Sequence, residues 1–286
     1  MITCVLFSWT SKTSARTVHC KTSKGHIYVI HTPIPPYKSS AAQLPKFYHK
    51  LTIASMAERA KQVVMTPNHK VMIGIIGGSG MDDPTLFADR KEVIVETPYG
   101  PPSDVMITGT IEGIACCLIG RHGRKHDIMP TNVNYRANLF AMKEAGCTHV
   151  IVSTACGSLQ EKYKPGDIVV IDQYIDRTTK RAQTFLDGEP NHPVGVLHNE
   201  QAHPFNKKVA GLMKETLEDL KIGHHTSGTM VTIEGPRFST KAESLMFKSW
   251  GGDLINMTSS TECALASELG LLYGAFAMAT DYDAWR

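Results

Sequence analysis

The chain predicts an α/β fold built on a covered sheet, and three observations carry that reading. Short apolar, β-branched runs recur at 71–76, 105–108, 114–119, 150–152, 168–171, 230–233, 254–256 and 272–278. Helical patterns lie between several of them, and strands alternating with helices need helices packed on the sheet. With 286 residues, 42% of them hydrophobic, the chain can bury one large core or two modest ones.

The run 71–76 ends in Gly77, Gly78, Ser79 and Gly80, as a buried strand entering a tight turn does. Val133, Ala137, Phe140 and Ala141, after Pro130, mark a short amphipathic helix. Val209, Leu212, Met213, Thr216, Leu217 and Leu220 fall on one stripe of a longer helix. Ser259 with Glu262 predicts a capping box opening a helix over 264–269.

Charge divides the sequence in two. Residues 1–70 hold ten Lys/Arg against the single acid Glu58, a balance of +9. The remainder holds twenty against twenty-six, a balance of −6, which restores the overall +3. The first segment also carries fifteen Ser/Thr. Its composition suits an unstructured basic leader, with a targeting peptide as the alternative. We expect 1–70 to be that leader and 71–286 to be the folded domain, with neither nucleic acid nor a membrane as partner. No run approaches the roughly 18–20 uncharged apolar residues of a membrane helix. Seven cysteines without a Cys-x-x-Cys pair suit a reducing compartment. His122 and His126 sit in a basic stretch that opposes a metal cation, so no metal site is expected.

Four predicted strand ends carry polar chemistry. The loop 77–80 fits neither Gly-x-Gly-x-x-Gly nor a Gly-Lys-Ser/Thr loop, and is readable as an anion cradle or as a plain turn. Arg121 and His122 end the strand 114–119; a guanidinium fork matches phosphate oxygens, although a surface turn would look the same. Thr154 and Ala155 end the strand 150–152, and Asn256, Met257 and Thr258 end another. Ligands of open α/β sheets gather at the carboxyl ends of strands, so four such ends point to one tetrahedral anion. Phe238 offers an aromatic face after the strand 230–233. Asp281 and Asp283, two apart in an extended segment, would share one side, where carboxylates could serve a heteroaromatic base.

Seven motifs then stand in order: Gly-Ile-Ile-Gly-Gly-Ser-Gly (74–80), Gly-Arg-His-Gly-Arg-Lys-His (120–126), Val-Asn-Tyr-Arg-Ala-Asn (133–138), Ser-Thr-Ala-Cys-Gly-Ser (153–158), Thr-Ile-Glu-Gly-Pro-Arg-Phe-Ser (232–239), Ile-Asn-Met-Thr (255–258) and Ala-Thr-Asp-Tyr-Asp (279–283). Together they resemble the trimeric purine nucleoside phosphorylase family, from about Met72 to Trp285. The resemblance implies a three-layer α/β/α domain with a central mixed sheet, assembled as a homotrimer. It implies that Ser79, Arg121, His122, Thr154, Ala155 and Thr258 hold phosphate. It places Met257 against the ribose, Phe238 over sugar and base, and Asp281 and Asp283 at the purine. His198 would reach the 5′ group of a nucleoside bound in a neighbouring subunit.

Members acting on 6-oxopurines carry Glu and Asn where this chain has Ser239 and Asp281. A carboxylate accepts from a 6-amino group and repels a 6-oxo group, which selects adenine. The implied reaction is phosphorolysis of 5′-methylthioadenosine to adenine and 5-methylthioribose 1-phosphate. Phosphate is a co-substrate, and neither metal nor organic cofactor is needed. A 6-oxopurine phosphorylase, or a catalytically impaired truncated subunit, is the alternative. The resemblance implies a cytoplasmic enzyme, with the nucleus as a second compartment and organelle targeting through 1–70 as the alternative. Relatives continue past the Asp-Tyr-Asp segment into a C-terminal helical region, so the domain is expected to be C-terminally truncated. Thr261 stands where a proline is usual.

Overall fold

The structure is a computed structural model that describes residues 71–77 and 86–286, together with three strands nearer the N-terminus. Those strands, β1 (Ile2–Thr3), β2 (Ala15–Thr22) and β3 (Ile27–Pro33), pair antiparallel in the order β1-β2-β3. They belong to a separate unit, Met1–Ser40. The expected leader otherwise falls on residues outside those described.

In the second unit the strands are β4 (Met72–Gly77), β5 (Ala88–Val93), β6 (Met106–Ile111), β7 (Ile114–Gly120), β8 (His149–Ser158), β9 (Ile168–Ile171), β10 (Gln173–Arg177), β11 (His224–His225), β12 (Thr229–Ile233), β13 (Leu254–Asn256) and β14 (Leu272–Tyr282). The helices are α1 (Tyr135–Glu144), α2 (Lys207–Asp219), α3 (Lys241–Ser249) and α4 (Ser259–Glu268). The strands form one mixed sheet in the order β10-β12-β13-β8-β4-β7-β6-β5, with β14 along β8 and β9, and β11 along β9. Among the described residues, no helix is long and apolar enough to cross a membrane.

Alternation along the strands makes the three layers. Ile76, Cys117, Ile119, Val150 and Val152 face one side with Ala137, Leu139, Ala141 and Met142 of α1 and Cys263, Leu265 and Ala266 of α4. Ile73, Ile75, Cys116, Leu118 and Ile151 face the other, against Val209, Ala210, Met213 and Leu217 of α2. Burying each large apolar side chain of that α2 stripe contributes about 1.5–3 kcal/mol. The predicted α/β class and central mixed sheet are therefore present.

The path of β8 positions the site. Its first half pairs parallel with β4, His149 to Val152 against Ile73 to Ile76. At Gly157 and Ser158 it pairs antiparallel with β13. Because β14 follows β8 along its length on one edge, β4 and β13 share the other. Residues 153–156 lie at the change of neighbour, the kind of strand-order break that opens a crevice for ligand.

Several expectations are corrected. The strand predicted over 272–278 continues to Tyr282, so Asp281 lies within it, past a register shift between Ala279 and Asp281. The capping box predicted from Ser259 and Glu262 does not form. Thr258 is the N-cap of α4 without a side-chain cap, because Glu262 turns instead to Arg121. The capping box belongs to α3, between Thr240 and Glu243.

Candidate functional site

The ends of β4, β7 and β13 come beside the middle of β8. The strand predicted over 150–152 runs on to Ser158 because β14 pairs with it throughout, so Thr154 and Ala155 lie within it rather than at its end. Gly77 of β4 is in register with Gly120 of β7, and Arg121 N–H donates to the Gly77 carbonyl at 3.2 Å. Thr154 and Ala155 lie at the break in β8. Asn256, ending β13, joins them: its Nδ2 donates to Thr154 Oγ1 at 3.1 Å and to Ser259 Oγ at 2.6 Å. Its Oδ1 accepts from Thr232 Oγ1 at 3.1 Å and from the N–H groups of Thr258 and Ser259 at 3.4 and 3.5 Å. One buried amide thus fixes the middle of β8 relative to the start of α4. The Thr258 hydroxyl, at that start, is buried with no partner among the described residues. A helix N-terminus favours an anion, and an orphaned hydroxyl there is a donor awaiting one. Ser79 lies outside the described residues.

Arg121 is buried and binds Glu262 through two bonds, Nε to Oε1 at 2.5 Å and Nη2 to Oε2 at 3.1 Å. Burial opposes its charge, but the Glu262 carboxylate outweighs that, so the guanidinium stays charged. Tyr273 OH donates to Glu262 Oε2 at 2.9 Å. The remaining Nη donors face the Ser153 carbonyl at 3.4 and 3.5 Å, beside Thr154. His122 Nδ1 lies 2.9 Å from the Ile128 carbonyl, which can only accept, so Nδ1 carries a proton. Burial, with Arg121 and His126 nearby, holds its pKa below the usual histidine value.

The two aspartates lie further along β8, beside Gly157 and Ser158. Asp281 is paired with Gly157, and its Oδ1 accepts from Thr280 Oγ1 at 2.8 Å. Burial raises its pKa, the Thr280 hydrogen bond opposes the rise, and the Asp283 charge adds to it. Asp283 N–H donates to the Ser158 carbonyl at 2.9 Å, while its Oδ2 is buried without a partner. Gly157 makes this approach feasible, since a Cβ there would sit 3.1 Å from Ile255 Cγ2 and 3.4 Å from Asp283 Cβ.

Phe238 is 81% exposed, its face open to a ligand, while Ser239 beside it is buried with an unpartnered Oγ. Met257 packs on Gly235, where φ is +72° and a Cβ would stand 2.5 Å from its Sδ. That position therefore needs glycine. His198 is exposed in the irregular segment after β10, which does not bring it to the other site residues within this chain's described contacts.

Three organising residues escaped sequence reasoning. Asn256 and Glu262 stood inside recognised motifs, but only the fold shows what they hold. The third is Arg181, whose Nη2 donates to the Glu234 carbonyl at 2.9 Å and whose Nη1 donates to Thr261 Oγ1 at 3.3 Å. Thr261, in the place of a usual proline, thus supplies an acceptor that proline lacks. Burial pushes Glu234 up, but hydrogen bonds from Thr131 Oγ1 and the N–H groups of Thr179 and Lys180, with Arg181, bring it down to about 2.

Comparison with known proteins agrees with this geometry. A family model described as the phosphorylase superfamily matches residues 72–286. The chain is 60% identical over 222 residues to S-methyl-5′-thioadenosine phosphorylase of Danio rerio, covering 78% of this chain and 79% of that one. It is 58% identical over 216 residues to the Drosophila melanogaster protein of that name, covering 76% and 75%. Among solved structures, a variant of adenosine/methylthioadenosine phosphorylase from Schistosoma mansoni in complex with methylthioadenosine superposes with a TM-score of 0.74 at 42% identity, covering 76% of this chain and 82% of that one. The chain belongs to the phosphorylase superfamily and, within it, to the family of the S-methyl-5′-thioadenosine phosphorylases.

Proposed function

We propose that the chain is a pentosyltransferase that cleaves 5′-methylthioadenosine with inorganic phosphate, giving adenine and 5-methylthioribose 1-phosphate. The observation that carries this reading is the break in β8, where the ends of β4, β7 and β13 come beside Thr154 and a buried Thr258 hydroxyl at one end, and a buried Asp283 oxygen lies further along β8 at the other, both without a partner among the described residues. One end suits an anion and the other suits N–H donors of a base.

In this reading phosphate is held by Ser79, Thr154, Thr258, the Ala155 N–H, the Nη edge of Arg121 beside the Ser153 carbonyl, and His122. A phosphate oxygen attacks C1′ of the ribose as the bond from C1′ to N9 breaks, through an oxocarbenium-like state. The electron pair leaves with adenine, and Asp281, as the acid form or through a water, assists protonation at N7. Asp283 accepts from the base, Phe238 stacks over sugar and base, and Ser239 leaves room for a 6-amino group. Met257 packs on the ribose. Glu262 removes the net charge of Arg121, so phosphate is held by aimed donors rather than by an excess of cations. No metal or organic cofactor enters the reaction. The assembly is a homotrimer in which His198 approaches the 5′ group bound by a neighbour, and the compartment is the cytoplasm and nucleus.

Incubation with 5′-methylthioadenosine, with and without phosphate, tests the reading by chromatography of adenine. Adenine release that needs phosphate, and no turnover of inosine, supports it. Equal release without phosphate overturns it in favour of hydrolysis.

A further inference from the structure

His192 lies in the irregular segment that leads from β10 toward His198. Its two ring nitrogens face oxygens that can only accept. Nδ1 is 2.7 Å from Asp187 Oδ1, and Nε2 is 3.0 Å from the Pro98 carbonyl. A neutral imidazole has one N–H and can serve only one of these, whereas the imidazolium serves both. The Tyr99 ring lies against the histidine ring, with centroids 4.4 Å apart and planes at 36°, an arrangement that also favours the cation.

We propose that His192 is a positioning residue: as an imidazolium bridging Asp187 and Pro98 it fastens the segment that carries His198, and it releases that segment as pH rises. The inference rests on the reading that His198 serves the bound nucleoside.

The surrounding charges support the charged form. From its own segment the Asp187 carboxylate faces His192, and Asp187 also accepts from Glu189 N–H at 3.1 Å. From α1, Arg136 pairs with Asp187 and is, among the described residues, the cation that opposes the charge on His192. From α4, Glu268 lies further in, accepting from Thr184 Oγ1 at 2.8 Å and Phe185 N–H at 3.1 Å. The hydrogen bond to Asp187, then that to Pro98, raises the His192 pKa against burial and Arg136. Asp187 is held well below its usual range by His192 and Arg136, so it remains ionised while His192 titrates.

The consequence follows from where the tethers lie. Residues 184–187 are anchored through Arg136 and Glu268, and Gln201 is anchored by accepting from Tyr174 OH at 2.9 Å. Between them residues 193–198 are all exposed, with Val194 at 97% and Val196 at 84%. His192 is the last fixed point before that stretch. Losing it lengthens the free loop at the end nearer His198.

The sign follows from the raised pKa. The tether is complete below the ordinary histidine value near 6.5 and is lost as pH rises through the higher folded value. Hydrogen exchange of the full chain, followed by mass spectrometry at pH 6 and pH 8.5 and corrected for intrinsic rates, reads the tether directly. Peptides over 186–200 should lose protection at the higher pH in the unaltered protein and show no such pH dependence in His192→Gln. Asp187→Asn should move the loss to lower pH. Nitrogen-15 spectra of the histidines should show, at pH 7, a ring protonated on both nitrogens whose signal is missing in His192→Gln.

With phosphate saturating, the KM for 5′-methylthioadenosine should rise about fivefold between those pH values in the unaltered protein, scaling with the unfastened fraction. In His192→Gln it should stay flat, with the phosphate KM equal in the two proteins. Identical exchange in protein and variant, or a neutral His192 at pH 7, overturns the tether. Matching KM profiles in the two overturn the positioning role. The exchange and nitrogen signals do not need turnover, so they separate failure of this inference from failure of the assigned reaction.

Discussion

Arg121 and Glu262, 141 residues apart, close a two-bond ion pair between the end of β7 and the first turn of α4, with side-chain exposures of 3% and 1%. Each residue belonged to a different sequence signal, an anion contact for one and a helix cap for the other. In the fold they belong to each other, and the pair aims the remaining guanidinium edge at the Ser153 carbonyl, beside Thr154.

Removing one partner strands the other charge in the core. Glu262→Ala should cost about 3–5 kcal/mol in urea unfolding, the range for a broken buried pair. Glu262→Gln, which keeps the shape and an acceptor for Tyr273 OH, should cost less. A loss in Glu262→Ala within the range of an exposed pair, about 0–1 kcal/mol, would show that water reaches the guanidinium.

Thr258→Val should separate binding from stability. The hydroxyl has no partner among the described residues, so replacing it by a methyl of similar shape should leave the melting temperature unchanged or raise it. The KM for phosphate should nevertheless rise about tenfold to a hundredfold, the value of a hydrogen bond to a charged group. Melting curves with and without phosphate, alongside phosphate titrations, check both signs. An unchanged phosphate KM would remove Thr258 from the anion site.

Asp281→Asn should lower kcat/KM for 5′-methylthioadenosine about a hundredfold or more, the contribution of a positioned general acid. Combined with Ser239→Glu, it should admit inosine, because an amide can donate to a 6-oxo group while the carboxylate cannot. Parallel assays on the two nucleosides check the direction. A double variant that retains full selectivity for the 6-amino substrate would place the selector elsewhere.

Acid should weaken the fold partly through His149. Its Nδ1 lies 2.8 Å from Thr148 Oγ1, its Nε2 is buried without a partner, and burial holds its pKa below the usual value. The unfolded chain then binds the proton more readily, so stability is complete above about pH 6.5 and falls as pH drops through the lowered value. His149→Leu should flatten part of that acid limb in melting temperatures recorded from pH 5 to 7.5. Thr148 Oγ1 keeps its bond to the Met72 carbonyl at 3.2 Å, so the variant leaves no orphan there. An unchanged acid limb would assign the proton uptake to other groups.

The central strands of the sheet were legible because burial on both faces demands apolar, β-branched runs; β5, β10 and β11, polar and at most partly buried, were not. The α2 stripe was legible for the same reason at helical period. α3 was not, since only Ser244 and Phe247 of it are buried while Leu245 and Met246 are exposed. Its apolar residues run consecutively and give no clean face, although Thr240 and Glu243 carried the capping signal. Asp281 was foreseen as a site residue but not as part of a strand, because a polar segment extends β14 only when β8 lies alongside to pair with it.

The sequence alone determined the fold class, the motifs and the chemical types at each strand end, since local periodicity and residue chemistry are written there in order. Which of those ends meet was decided by the tertiary structure. The exchange of β4 for β13 along β8, the choice of Glu262 between helix cap and counter-ion, and the closure of His192 on Pro98 are all contacts between distant segments. Their energies depend on burial and on direction in space, and neither exists until the sheet has formed.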